Sequence, residues 1–166
     1  SILEQIGIAA RHPPEAAKLL SQLHDGVCKA LGTSQSEPTS SDGLDCAVLA
    51  FADNMSMLDF AAASMDLYIV PEKGPTTRLR GSRVSLGYGK NDLQISDDQQ
   101  RHEIGTNSFV IASDGMATQI GDQTKRAFGN RRFLESLDQV EGNDPAKLVR
   151  QLARDLNRWQ GDQERR

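Results

Sequence analysis

The stretch that decides the fold is Ser108–Gly121, "SFVIASDGMATQIG". Its apolar run, Phe109 to Ala112, leads straight into Ser113-Asp114-Gly115. Asp-Gly is turn chemistry, so one reading simply ends a strand in a turn. The other reading holds a carboxylate rigidly at the C-terminal tip of a strand apolar enough to be buried on both faces. A carboxylate at the edge of a core is costly unless it is hydrogen-bonded or metal-bound. Carboxylates at strand ends are also a recognisable way to hold hard, oxygen-seeking cations such as Mg²⁺ or Mn²⁺.

Upstream of that stretch the chain has strand texture. "LDCAVLAFAD" (44–53) and "SMLDFAAAS" (56–64) predict two strands joined by a tight turn at Asp53-Asn54. "LYIVP" (67–71) predicts a third, followed by a turn around Lys73-Gly74-Pro75, and "TRLRG" (77–81) a fourth. "SRVSLGYG" (82–89) and "NDLQIS" (91–96) are weaker, because glycines break the pattern. Near the start, Ile2 to Ala10 has helical spacing before Pro13-Pro14. An amphipathic helix runs from Glu15 through Leu31 and closes at Gly32. Residues 33–43, "TSQSEPTSSDG", read as an exposed loop. Downstream, a Gly-rich turn precedes two helices, 130–140 and 144–160, the second with Asp144 as N-cap and Pro145 at its first position. Short turns make neighbouring strands antiparallel. The order is therefore an α+β layer architecture, expected as one domain over residues 1–166.

Composition narrows the function. The chain carries 19 Lys+Arg against 23 Asp+Glu, a net charge of −4, and only 5% aromatic residues. Neither a basic face nor stacking platforms for nucleic acid are expected. No apolar run reaches membrane-spanning length and no signal-peptide pattern opens the chain, so a cytoplasmic segment without membrane contact is expected. Cys28 and Cys46 read as reduced, buried thiols. Neither has an Arg six residues later, which leaves no phosphate loop for a thiolate nucleophile. His12, His24 and His102 lack zinc-ligand spacing and read as solvated or locally bonded.

Besides Asp114, the candidate ligands are Asp42 and Asp45 in "SSDGLDCAVL", just before an apolar strand. For Asp42-Gly43 the alternative is a turn that opens the strand; for Asp45 it is a solvated outward residue.

"SDGLDCAVLAF", "LDFAAASMDLYIV", "LRGSRVSLGYG", "FVIASDGMATQIGD" and "FGNRRFLESL" occur in that order. In order and spacing they resemble the metal-dependent Ser/Thr phosphatases of PPM type, in the bacterial branch of stage II sporulation protein E, and within it the SiaA-like phosphatase domains. The resemblance covers nearly all of residues 1–160. It implies an antiparallel β-sandwich flanked by helices, with two or more Mn²⁺ or Mg²⁺ ions activating a water for attack on phosphorus. By resemblance Asp114 is the catalytic, metal-holding carboxylate and Gly115 shares its site, while Asp42 and Asp45 fall near an additional metal. Asp45 and Asp114 are expected to open towards a common edge. The implied activity is hydrolysis of phosphoserine or phosphothreonine on a bacterial regulatory protein of the STAS anti-sigma-antagonist type.

The sequence departs from the family in three places. The Asp-x-x-Gly-His-Gly motif would precede Ser1, the closing Asp-Asp-(Ile/Met)-Thr strand would follow Arg166, and Thr118 stands where an acidic residue is usual. The expectation is a fragment of a longer phosphatase, which could be membrane-anchored elsewhere. The alternative is a degenerate member that binds partners without chemistry.

Overall fold

The computed structural model describes residues 16–33, 43–87, 100–122 and 125–161. They fall into two compact units, one drawn from Ser1–Asp66 and Arg80–Gly105, the other from Leu67–Leu79 and Thr106–Arg166. Each unit has its own hydrophobic core.

In the first unit, helix α1 (Ala16–Leu31) turns Ala16, Ala17, Leu20, His24 and Cys28 inward. From Ala17 on those positions recur three or four apart, and Ala16 lies four before Leu20, so they form one face. Gly32, at φ +69°, closes the helix in the left-handed region, and the Thr33 amide reaches back to the Cys28 carbonyl at 3.0 Å. Strands β1 (Cys46–Phe51) and β2 (Met57–Ala63) form an antiparallel hairpin in register from Cys46↔Ala63 to Phe51↔Leu58. The Asn54 side chain accepts from the Ser56 amide and hydroxyl at its turn. Alternation along β2 separates two faces. Ala61 and Ala63, with Ala50 of β1, meet α1 and Leu86. Leu58, Phe60 and Ala62 are buried on the other side.

Strand β5 (Gln100–Glu103) completes this sheet in the order β1-β2-β5 and runs antiparallel to β2. Its polar sequence gives no strand signal, and sequence reading missed it. Pairing with the apolar β2 supplies what the residues do not: Arg101 sits opposite Asp59 and grips it with two bonds, 2.7 and 3.2 Å. Asp59 is 4% exposed, so this bidentate pair is what makes a carboxylate tolerable there.

The second sheet has the order β4-β3-β6, built from β3 (Asp66–Val70), β4 (Thr77–Arg80) and β6 (Ser108–Ala112). It is followed by α2 (Asp114–Ala117), α3 (Gly129–Asp138) and α4 (Pro145–Gln160). Tyr68 and Val70 join Phe128, Phe133, Leu137, Leu148 and Leu152 in the core. The Tyr68 and Phe133 rings lie 4.5 Å apart. Asp144 caps α4 by accepting from the Lys147 amide at 3.0 Å, with Pro145 in the first turn. Asn143, just before that cap, donates to the carbonyls of Val70 and Thr106, and its own carbonyl accepts from the Ser108 hydroxyl at 2.6 Å. One side chain therefore ties the end of β3 to the approach to β6.

Two expectations change. The strand leading to Asp114 is not buried on both faces: β6 is half-buried except at Ile111, which is 37% exposed. As the last strand in the order β4-β3-β6 it has one paired neighbour among the described residues. The segment after it is a one-turn helix before it becomes a loop. The expected helix at Ile2–Ala10 and the weak strand at 91–96 lie outside the described residues.

The "RGS" turn at Gly81 shows why a glycine is required. A Cβ there would sit 2.4 Å from the Met65 carbonyl oxygen and 2.7 Å from that of Ala62, both backbone atoms. The Ser82 amide meanwhile donates to the Ala62 carbonyl at 2.8 Å, which holds the two segments together. Gly81→Ala should therefore destabilise the protein by about 1–3 kcal/mol, the scale of an overpacked site. Urea unfolding of both proteins measures the difference; an unchanged midpoint would show that the backbone gives way freely.

Candidate functional site

Asp114 is the first residue of α2, directly after β6. Ser113 is extended, at φ −69° and ψ 166°, and the chain then coils so that the Thr118 amide donates to the Asp114 carbonyl at 2.8 Å. The Asp114 side chain is exposed. The desolvation argument for a ligand therefore does not apply to it. Its position in the first turn of a helix is favourable by charge alone. What β6 and α2 contribute is a fixed starting point for the carboxylate, with strand on one side and helix on the other.

That turn is braced from α4. Gln160 is 4% exposed and its amide donates to the Gln119 side-chain carbonyl at 2.8 Å. The Gln119 amide in turn donates to the Gly115 carbonyl at 2.7 Å. Gly115, a candidate metal ligand, can offer only its backbone carbonyl, and this oxygen also accepts from the Thr118 hydroxyl at 3.4 Å. Thr118 is exposed and closes the helix.

The loop beyond is seated on Trp159. The amide of Gly121 donates to the Arg126 carbonyl and that of Phe128 to the Gln119 carbonyl, both at 2.8 Å. A Cβ on Gly121 would lie 2.5 Å from the indole. Arg132 covers the Trp159 ring at 3.9 Å and Phe128 meets it edge-on at 6.3 Å.

Asp45 belongs to the first unit, between the Leu44↔Leu86 bridge and β1. It is exposed, and the Ser85 hydroxyl donates to it at 2.6 Å. The Ser64 hydroxyl lies 3.0 Å from that of Ser85. With the Ser85 proton committed to Asp45, Ser64 is the donor in that pair. The serine pair fixes one carboxylate oxygen. Asp42 lies outside the described residues. Asp45 and Asp114 thus belong to different units, Asp45 just before β1 and Asp114 just after β6.

Sequence reading missed Ser64, Ser85, Gln119 and Gln160, the residues that hold the two candidates. Small polar side chains carry no periodicity signal. Only burial, as at Gln160, marks them. Among the described residues no group of three or more His, Cys, Asp and Glu side chains could hold a metal ion. The carboxylates nonetheless fit a hard cation in kind. Mg²⁺ commonly uses one or two carboxylates and keeps several waters. Neither Asp45 nor Asp114 has a Lys, Arg or His ion-pair partner among the described residues.

A likeness in three dimensions fits this arrangement. The chain superposes on the SiaA-PP2C domain of Pseudomonas aeruginosa with a TM-score of 0.75 at 21% identity, covering 99% of this chain and 61% of that one. The fold is that of a PP2C domain. This bears out the α+β, PPM-like expectation. No protein-family model matches the sequence, and no curated protein matches it. This chain spans under two thirds of the SiaA-PP2C structure's length. Among the described residues no helix is long and apolar enough to cross a membrane.

The remaining nucleophiles and bases lie elsewhere. Both cysteines are free thiols. Cys28 is buried with its sulfur 3.5 Å from His24 Nε2, while His24 Nδ1 accepts from the Gly87 amide at 3.3 Å. That bond places the imidazole proton on Nε2. His24 is therefore buried and bonded both locally, to Cys28, as the locally bonded expectation has it, and across the fold, to Gly87. His12 lies outside the described residues. Cys46 is half-buried, and burial pushes its thiol above the ordinary value.

Two predictions follow from these placements. Folding favours the neutral Cys46 thiol, so its contribution to stability is complete below the ordinary thiol pKa and is lost as pH rises through the elevated one. Peptide-resolved alkylation should show Cys46 reacting half-maximally at a higher pH in the folded chain than in the denatured chain; coincident curves would contradict the burial effect. Gln160→Ala should remove the brace on α2 and destabilise by about 1–3 kcal/mol, since the Gln119 carbonyl loses its donor. Hydrogen exchange at the Thr118 amide should accelerate beyond what global stability explains.

Proposed function

We propose that this chain is the greater part of a PPM-type phosphatase domain that hydrolyses phosphoserine or phosphothreonine on a protein. The reading takes residues 1–166 as belonging to one domain of the sporulation-protein-E-like branch. The observation that carries it is the PP2C-domain fold, with Asp114 presented at the end of β6. In this reading Asp114 and Asp45 supply carboxylate oxygens to Mn²⁺ or Mg²⁺, and Asp42 and the Gly115 carbonyl stand nearby in sequence to add to them. The ions, when bound, supply an acidified water as nucleophile.

The chain's own part is placement and charge. Ser85 holds the Oδ1 oxygen of Asp45. The Gln160–Gln119–Gly115 relay fixes the turn from which Asp114 projects. Thr118 brings a hydroxyl where the family has a carboxylate; it can hydrogen-bond a cation's water but adds no negative charge. The phosphorylated partner is proposed to be a STAS-domain regulatory protein, on the strength of the family resemblance. A second reading, a binding module without chemistry, is favoured by Thr118 and by the lack of a three-ligand cluster among the described residues.

The test uses the full-length protein. Turnover of a chromogenic phosphate ester and of a phosphoserine protein should require Mn²⁺ and vanish with chelator. Asp114→Asn keeps the shape but removes the charge, and turnover should drop on the order of 10²-fold or more. Circular dichroism should stay unchanged. Thr118→Asp should lower the Mn²⁺ concentration needed for half-maximal rate. A folded Asp114→Asn protein with wild-type turnover would reduce Asp114 to a residue that merely opens a helix. A full-length protein that binds a phosphorylated STAS domain without turning it over would favour the binding module.

A further inference from the structure

Helix α4 carries Lys147, Arg150, Arg154 and Arg158 at spacings of three, four and four, so they lie along one side of the helix. Arg158 is neutralised by Asp155 at 3.6 Å. The other three are not: among the described residues no carboxylate pairs with Lys147, Arg150 or Arg154. Among the described residues the Arg150 guanidinium bonds a backbone carbonyl, that of Ala146, at 2.9 Å. Like charges three and four apart on a helix repel one another. The helix therefore carries an unrelieved repulsion in a chain whose net charge is −4.

These three cations converge on a concave site. With Gln139, Val140 and Gln151 they line a groove of about 380 Å³ where the end of α3 meets α4. Among the described residues no carboxylate lines it. Asp144, which caps the helix, accepts from the Lys147 backbone amide at 3.0 Å, and Asp155 is occupied, its Oδ2 accepting from the Gln151 amide at 2.9 Å and its Oδ1 facing Arg158. Gln151 also donates to the Gln139 side-chain carbonyl at 3.1 Å, so the wall between the cations is held in place.

We propose that this groove docks an acidic segment of a protein partner. Charge complementarity names the chemistry: two guanidinium forks and an ammonium match a run of carboxylates, with the amide of Gln139 as a further donor. A nucleic acid would seek aromatic faces for its bases, and the groove has none. A membrane would meet the cations best on a convex face with apolar anchors, whereas Val149 is the one exposed large hydrophobic residue of α4. The proposal is independent of the phosphatase reading and would hold for a binding module as well.

The test measures fluorescence anisotropy of a labelled octaglutamate peptide against the full-length protein. Binding is expected at about 50 mM salt and should weaken strongly by about 300 mM. The double variant Arg150→Glu/Arg154→Glu should lose about tenfold or more in affinity, and Arg150→Lys/Arg154→Lys, which keeps the charge but loses the forks, should fall between that variant and the wild type. Lys18→Glu/Lys29→Glu makes the same change in net charge on exposed positions of α1 and should leave binding unchanged. The proposal is overturned if octaglutamate does not bind, if both charge reversals weaken it equally, or if a single-stranded oligonucleotide or phosphatidylserine vesicles bind at the groove more tightly than the peptide. Circular dichroism of each variant separates loss of binding from loss of fold. The lysine pair supplies a folded comparison if the glutamate pair unfolds.

Discussion

The second unit is organised around a missing side chain. Gly121 leaves room for the Trp159 indole, and the indole then collects Phe128 on its edge and Arg132 on its face. Aromatic and cation contacts of this kind add about 0.5–2 kcal/mol each beyond simple burial. Their greater effect is geometric. They fix the end of α4 against the loop that follows Asp114, and Gln160, the next residue, then reaches Gln119. An exposed carboxylate on a one-turn helix would otherwise have little to hold it. Short helices are unstable alone, so α2 depends on neighbours for its existence.

The first unit solves the matching problem by other means. Alanines at positions 50, 61 and 63 give a face of small side chains on which α1 lies, and the buried Asp59 is answered by Arg101 from the neighbouring strand. Asp45 is positioned by hydroxyls, Ser85 backed by Ser64. In both units the candidate carboxylate itself is exposed, while the groups that aim it are neutral. Neutral groups fix a carboxylate's position without cancelling its charge.

Where periodicity was strong, the sequence was readable. The alternating and apolar runs at 44–64 became the β1–β2 hairpin, and the caps Gly32, Asp144 and Pro145 marked α1 and α4 within a residue or two. It failed where tertiary partners decide. "QRHE" becomes a strand only because β2 offers it hydrogen bonds, and "FVIA" looked doubly buried although among the described residues β6 pairs with β3 alone and its residues are partly exposed. Asp114 and Asp45 stood out because acids beside apolar runs are conspicuous. Gln160 and Ser85 did not, because an amide or hydroxyl looks the same in sequence whether it faces water or a bond.

The order in which the second unit's pieces appear along the chain has a consequence during synthesis. Its strands β3 and β4 lie in the middle of the sequence, whereas β6, Phe128, Phe133, Leu137, Leu148 and Leu152 all come later. A ribosome therefore releases Tyr68 and Val70, both buried in the finished fold, tens of residues before the helices that cover them. At about 5–20 residues per second this leaves an uncovered apolar strand waiting for seconds. The nascent chain is most exposed to misassociation in that interval, and the polar "PEKGPT" stretch between β3 and β4 places Glu72, Lys73 and two prolines beside it as a natural interruption.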